Sequence, residues 1–159
     1  MPSLQRPPIS MSIFELLKAG PGPSSSHTIA PMLAGFDFAH RAAAFAPELL
    51  AQVKGIRVRL LGSLSATGKG HGTDRAVLAG LLGNDPATCP PELLNQIERL
   101  PREQRVFALG NLRLLIGTEI VHYGPVQHDY PYSNTLIIEL LDVPDPDRNR
   151  EDVAEQGSD

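Results

Sequence analysis

Two stretches carry residue types able to do chemistry at close spacing. The first is Gly20-Pro21-Gly22-Pro23-Ser24-Ser25-Ser26-His27-Thr28. Its prolines and glycines stop any preceding element, because proline fixes φ and lacks a donor while glycine admits φ > 0. Five consecutive side chains able to hydrogen-bond then run directly into an apolar helical pattern. A helix start offers free N–H groups and a positive dipole end, which together favour an anion. Two readings fit: an anion site, or Ser25 or Ser26 capping the helix with its neighbours facing water.

The second stretch is Gly62-Ser63-Leu64-Ser65-Ala66-Thr67-Gly68-Lys69-Gly70-His71-Gly72-Thr73-Asp74. Its glycines let backbone amides approach a ligand, and it brings an ammonium and an imidazole to one place. It is not a P-loop, since Gly70 follows Lys69 where Ser or Thr should stand. A plain glycine-rich turn is the competing reading. His71 and Asp74, at i and i+3, match metal-ligand spacing, but two ligand types at one spacing say little for a metal. Asp74 serves better as a cap or dipole partner of its helix. A third polar stretch runs from His122 to Thr135. On pattern alone His122 and His128 are loop histidines, and His40 is a solvent-facing one.

Around these stretches the periodicity predicts the supporting elements. Met11 to Lys18 reads as a short helix, with Ser12 and Glu15 at capping-box spacing. A second helix runs from Ile29 to about Phe45, with Pro31 tolerated in its first turn. Gly55 to Gly62 alternates apolar and basic residues and so reads as a strand with one buried face. A loop spans Ser63 to Gly72, and a helix starts at Thr73-Asp74 and stops at Gly83. Asn84 to Pro91 is a polar turn, and Glu92 to Gln104 is helical until Pro101 breaks it. Arg113 to Val121 and Leu136 to Leu141 are strand-like. The expected fold class is α/β: a two-layer domain with a small mixed sheet of three or four strands backed by helices. Residues 1–10 read as a disordered leader, 11–143 as the domain and 144–159 as an acidic disordered tail.

Composition narrows the function class. The 159 residues suffice for one domain with a real core, and no apolar run reaches the length of a membrane span. Of the net charge of −4, the segment from Asp142 onward carries −5, with seven acids against Arg148 and Arg150, so the body is near +1. A near-neutral body has no basic stripe of the kind nucleic acid requires. The single cysteine, Cys89, rules out an internal disulfide, points to a cytoplasmic protein, and cannot hold an iron–sulfur cluster by four thiolates.

Ser12-Ile13-Phe14-Glu15-Leu16-Leu17, Gly22 to Thr28 and Gly62 to Asp74 together resemble the β domain, or β subunit, of the iron–sulfur-dependent L-serine dehydratases. The resemblance covers about residues 11 to 141. It implies a lyase that converts L-serine to pyruvate and ammonia with a 4Fe-4S cluster. The cluster is held by cysteines of an α domain or α subunit, so this chain resembles the half without it, with no metal ligand of its own. It further implies catalytic roles for His71, His27 and Lys69, with His71 as the base. Ser24, Ser25, Ser26 and Thr28 would grip the substrate carboxylate or orient neighbours, and Thr67, Gly68, Thr73, Asp74 and Asn134 would complete the substrate-binding set. Two features depart from the family pattern. Tyr132 stands where a histidine usually precedes the Ser/Pro-Asn of the third motif, and a phenol of ordinary pKa near 10 does not trade protons at pH 7. His128, four residues away, is the nearest imidazole that could stand in. The glycine-rich segment that usually follows is replaced by the acidic tail, as in a separately encoded or truncated β unit. A second function remains open: a regulatory domain that binds serine or another small carboxylate without catalysis. A His/Asp metal hydrolase is a third.

Overall fold

In the computed structural model, residues 27–90 and 92–146 are described. The leader, the expected helix at Met11 to Lys18, Ser24 to Ser26, and the chain beyond residue 146 lie outside them. Helix α1 is Ile29–Ala42, followed by the single turn α2, Pro47–Leu50. Strand β1 (Gly55–Leu61) leads into two consecutive helices, α3 (Ser63–His71) and α4 (Thr73–Leu81). Helix α5 (Glu92–Gln96) precedes the hairpin β2 (Val106–Leu109) and β3 (Leu112–Leu115), and then come β4 (Val121–Tyr123) and β5 (Thr135–Leu141).

The main sheet has the order β4-β1-β5, with β4 parallel and β5 antiparallel to β1. Register follows the alternation of β1. Ile56, Val58 and Leu60 pair with Leu140, Ile138 and Leu136, and of these Val58, Leu60, Leu136 and Ile138 are completely buried. Helices α1 and α4 supply much of the rest of the core through Ala34, Phe38, Ala76 and Val77. The result is the expected two-layer α/β domain, with the β2–β3 hairpin as a separate small sheet.

Helices α1 and α4 approach closely because small residues line both. A Cβ on Gly80 would strike the Met32 carbonyl, and one on Gly35 would strike that of Val77. Thr73 meets His27 at the two helix starts, while Gly80 meets Met32 and Phe36 further along. The helices therefore run in the same direction and bring their positive ends to one end of the domain.

Several expectations are corrected. Ser63 to Gly72 is not a loop: residues 63–71 form helix α3. Fully buried Leu64 anchors the helix, and Gly68 serves close packing against Thr73 and Tyr123 rather than backbone freedom, so tertiary contact overrides weak glycine propensity. Helix α1 stops at Ala42, three residues before Phe45, and finishes in i→i−3 turns. The run Glu92 to Gln104 is helical only to Gln96 and continues as 3₁₀ turns at Ile97–Arg99 and Arg102–Gln104. Leu100, just before Pro101, is driven into the extended region. Arg113 to Val121 is not one strand; β3 ends at Leu115, and a 3₁₀ turn at Thr118–Ile120 separates it from β4. Strand β2 was not anticipated, and His122 lies on β4 rather than in a loop.

Candidate functional site

The carboxyl ends of β1 and β4 and the start of β5 lie at one edge of the main sheet, as the parallel and antiparallel registers require. Ligand sites of open α/β sheets lie beyond the carboxyl ends of strands. The segments that leave this edge are 62–73, 124–134 and, by contact, residues 27–28. The second and third polar stretches therefore converge with His27 and Thr28 of the first.

The joins are specific. His27 Nε2 and Ser63 Oγ share a hydrogen bond of 2.9 Å. The fully buried hydroxyl of Thr73 donates to the backbone carbonyl of His27 at 2.5 Å. His27 is thus fixed to both ends of the second stretch. The third stretch is fixed at the strand end: Gly62 N–H donates to Pro125 O at 3.0 Å, and Ser65 Oγ donates to Gly124 O at 2.5 Å. Gly62 has φ +64, and the space a Cβ would take there is filled by the Ser133 carbonyl. Only glycine meets both demands.

Of the predicted site residues, Ser24, Ser25 and Ser26 lie outside the described residues. Thr28 is the N-cap position of α1, without a side-chain cap hydrogen bond. Thr67 hydrogen-bonds back to the Ser63 carbonyl at 2.9 Å within α3, and Gly68 is buried against Thr73. Lys69 and His71 occupy the last turn of α3, and their side chains lie outside what is described. Gly72, at φ +70, turns the chain sharply into α4, whose first-turn Asp74 accepts the Arg75 N–H at 2.8 Å. Asp74 is an acidic residue of the first turn, while the N-cap position is Gly72 and has no side-chain cap hydrogen bond. Asn134 follows Ser133, and its buried Oδ1 has no hydrogen-bond partner among the described residues. Such an acceptor costs about 1–3 kcal/mol until a donor reaches it.

Sequence reasoning missed two things. Ser63 was not singled out, although a hydroxyl placed immediately past a strand end is the available signal. The other omission is a charged cluster on the opposite face of the sheet. Arg57 Nε donates to Glu139 at 2.7 Å, Arg59 bonds the same carboxylate at 3.1 Å, and His122 Nε2 lies 2.8 Å from Asp145. Asp145, assigned by sequence to the tail, has a side chain only 1 % exposed. His40 is exposed, as expected, and bonds the Phe36 carbonyl one turn back. Cys89 ends the turn that starts at Asp85, and burial raises its thiol pKa above the ordinary value.

The residues 12–152 match the family model of the serine dehydratase beta chain. This chain belongs to that family. Among curated relatives, L-serine dehydratase 2 of Escherichia coli is 50% identical over 114 residues, covering 71% of this chain and 23% of the relative. L-serine dehydratase of Streptomyces coelicolor is 45% identical over 104 residues, covering 65% of this chain and 22% of the relative. L-serine dehydratase TdcG of Escherichia coli is 40% identical over 128 residues, covering 80% of this chain and 25% of the relative. This beta-chain unit thus spans about a quarter or less of the length of these relatives. The whole of its candidate site falls within the matched residues. No described helix is long and apolar enough to cross a membrane.

Proposed function

We propose that this chain is the β component of an iron–sulfur L-serine dehydratase, converting L-serine to pyruvate and ammonia with a cluster-bearing α component. The observation that carries the reading is the double join of the two specific motifs, His27 to Ser63 through the ring and His27 to Thr73 through the carbonyl. Two helix starts side by side favour the substrate carboxylate there. Ser24, Ser25, Ser26 and Thr28 are assigned to grip it or to orient neighbours, and Lys69 to add charge. The buried Asn134 Oδ1, an acceptor awaiting a donor, suits the substrate ammonium. Thr67, Gly68, Thr73 and Asp74 form the surrounding frame.

His71 is assigned as the base that takes the α-proton, because Gly70 and Gly72 on either side permit close approach to Cα. The electron pair left at Cα forms the Cα–Cβ double bond as the β-hydroxyl departs and takes up a proton to leave as water. The α-proton held on His71 closes the balance when it is given up. The resulting 2-aminoacrylate tautomerises to an imine, and hydrolysis takes the water back and frees ammonia. His27, held through Ser63, orients the site. The residues of this chain do not fit a four-iron cluster. Cys89 is its one cysteine, and among the described residues no three His, Cys, Asp or Glu side chains gather as a metal site. Cluster ligation is therefore assigned to cysteines of the α component.

The test is reconstitution. The purified chain is expected to be colourless and inactive alone. Anaerobic mixing with an α chain and reconstituted cluster is expected to yield pyruvate from L-serine. In that complex His71→Ala should lose orders of magnitude in turnover, and a near-normal rate would remove His71 as base. One observation favours a second reading, a non-catalytic serine-binding or regulatory unit: Tyr132 replaces the usual histidine, is partly exposed, and uses its carbonyl to hold Thr135 Oγ1 at 2.7 Å. Saturable serine binding with no pyruvate from the assembled complex would select it.

A further inference from the structure

We infer that His128 is a positioning residue, a neutral imidazole clamp that holds Ser133 against Gly62 and so sets the place of Asn134. The argument starts from which atoms can donate. The backbone N–H of Tyr130 donates into His128 Nδ1 at 3.1 Å, so that nitrogen carries no proton. His128 Nε2 lies 3.2 Å from the Ser133 carbonyl, which can only accept, so Nε2 carries the proton. Both ring nitrogens are thereby used inside one turn, and the tautomer is fixed by its partners. An imidazole held in this way is not available as the stand-in base that the sequence suggested for the position of Tyr132.

What the clamp holds is the key contact of the third stretch. The Ser133 carbonyl fills the space beside Gly62 where any other residue would carry Cβ, and His128 Nε2 would lie only 3.2 Å from that Cβ. Gly62 joins β1 to α3, and the next residue, Ser63, holds the His27 ring. On the other side of Ser133 stands Asn134 with its unpartnered buried Oδ1. Moving the Ser133 carbonyl would shift Asn134 directly, since they share a peptide bond. The ring of Tyr130 lies tilted at 5.5 Å from that of His128 and limits how far the imidazole can swing. The clamp itself stands without the proposed activity; only its effect on turnover rests on that reading.

The test uses the full chain labelled with ¹⁵N. Long-range ¹H–¹⁵N spectra are expected to show His128 Nδ1 as a bare ring nitrogen and Nε2 as protonated; the opposite tautomer, or rapid averaging of the two, overturns the inference. His128→Ala is expected to displace the amide resonances of Gly62 and Asn134. His128→Gln keeps a donor near the Nε2 position and should return them toward wild type, whereas His128→Asn, which keeps only the Nδ1-side acceptor, should not. Unmoved Gly62 and Asn134 resonances in His128→Ala overturn the proposal. In the assembled enzyme His128→Ala should raise KM for serine about tenfold with kcat within about twofold, and His128→Gln should restore KM. An unaltered KM in His128→Ala counts against positioning of Asn134. Absence of turnover in all forms, wild type included, with the spectra as expected, supports the clamp and refutes the dehydratase reading instead.

Discussion

The hydroxyl of Thr73, wholly inaccessible to water, donates to the backbone carbonyl of His27, 46 residues earlier in the chain. This bond fastens the start of α4 to the residue before the α1 N-cap and sets the distance between the two helix ends. Thr73→Val keeps the shape and removes the donor, leaving a carbonyl with one lost partner. The expected cost is about 1–3 kcal/mol, read as a shift in urea midpoint with little change in slope. Thr73→Ser should recover most of it, and equal stability of the Val and wild-type chains would contradict the assignment.

Gly62 and Gly83 give a matched pair for backbone strain. Both have positive φ, but a Cβ at Gly62 meets the Ser133 carbonyl whereas nothing lies within 4 Å of one at Gly83. Gly83→Ala should therefore show only the left-handed penalty, about 1 kcal/mol. Gly62→Ala should cost distinctly more, because the loop 124–134 must move as well. Thermal melts of the two variants side by side decide it, and equal shifts would refute the packing argument.

The acid Glu139, 3 % exposed, lies between Arg57 and Arg59 across the β1–β5 register. Glu139→Ala removes the shared acceptor of two guanidinium groups that remain partly in water. A loss of about 1–3 kcal/mol is expected, since a hydrogen bond to a charged group contributes more than a neutral one. Glu139→Gln, which keeps an acceptor oxygen without the charge, should fall between. Denaturant titration at fixed salt measures both, and a neutral Glu139→Ala would show that the cluster contributes nothing net.

Ser63→Ala tests the site rather than the fold. The variant removes the hydroxyl that meets the His27 ring at 2.9 Å without touching the core residue Leu64. In the proposed complex turnover should drop by up to about a hundredfold, the cost of a misplaced group near the reacting atoms, while the melting temperature changes little. Full activity would detach His27 from the reaction.

Burial raises the Cys89 thiol pKa above its ordinary value, so the thiolate is disfavoured in the folded chain. Alkylation at pH 8 should accordingly run slower in the native chain than in the urea-unfolded one. The sign for stability follows from proton binding. Above the unfolded pKa the folded state holds this proton more tightly, so its contribution, fully present at lower pH, is lost as pH rises through the folded value. Cys89→Ser should flatten that alkaline decline, and an unchanged slope would show that Cys89 does not contribute to it.

Much of the frame was legible in the residues themselves. The alternation of Ile56, Val58 and Leu60 with Arg57 and Arg59 gave β1 and its buried face, and the helical spacing from Ile29 gave α1. The two motifs Gly22 to Thr28 and Gly62 to Asp74 marked the family, and His27 of the first meets the second at the sheet edge. Such patterns are local, because period and turn chemistry act over a few residues. Other features were settled only when distant segments met. Helix α3 exists where glycines predicted a loop because Leu64 is buried and Gly68 packs on Thr73 and Tyr123. His122 found Asp145, and the His128 ring found Ser133 and Tyr130, through partners that no spacing rule reveals. Sequence fixes which groups are available and their local geometry. Long-range packing decides which of them touch, because the free energy of burying Leu64 or pairing Asp145 depends on residues far away along the chain.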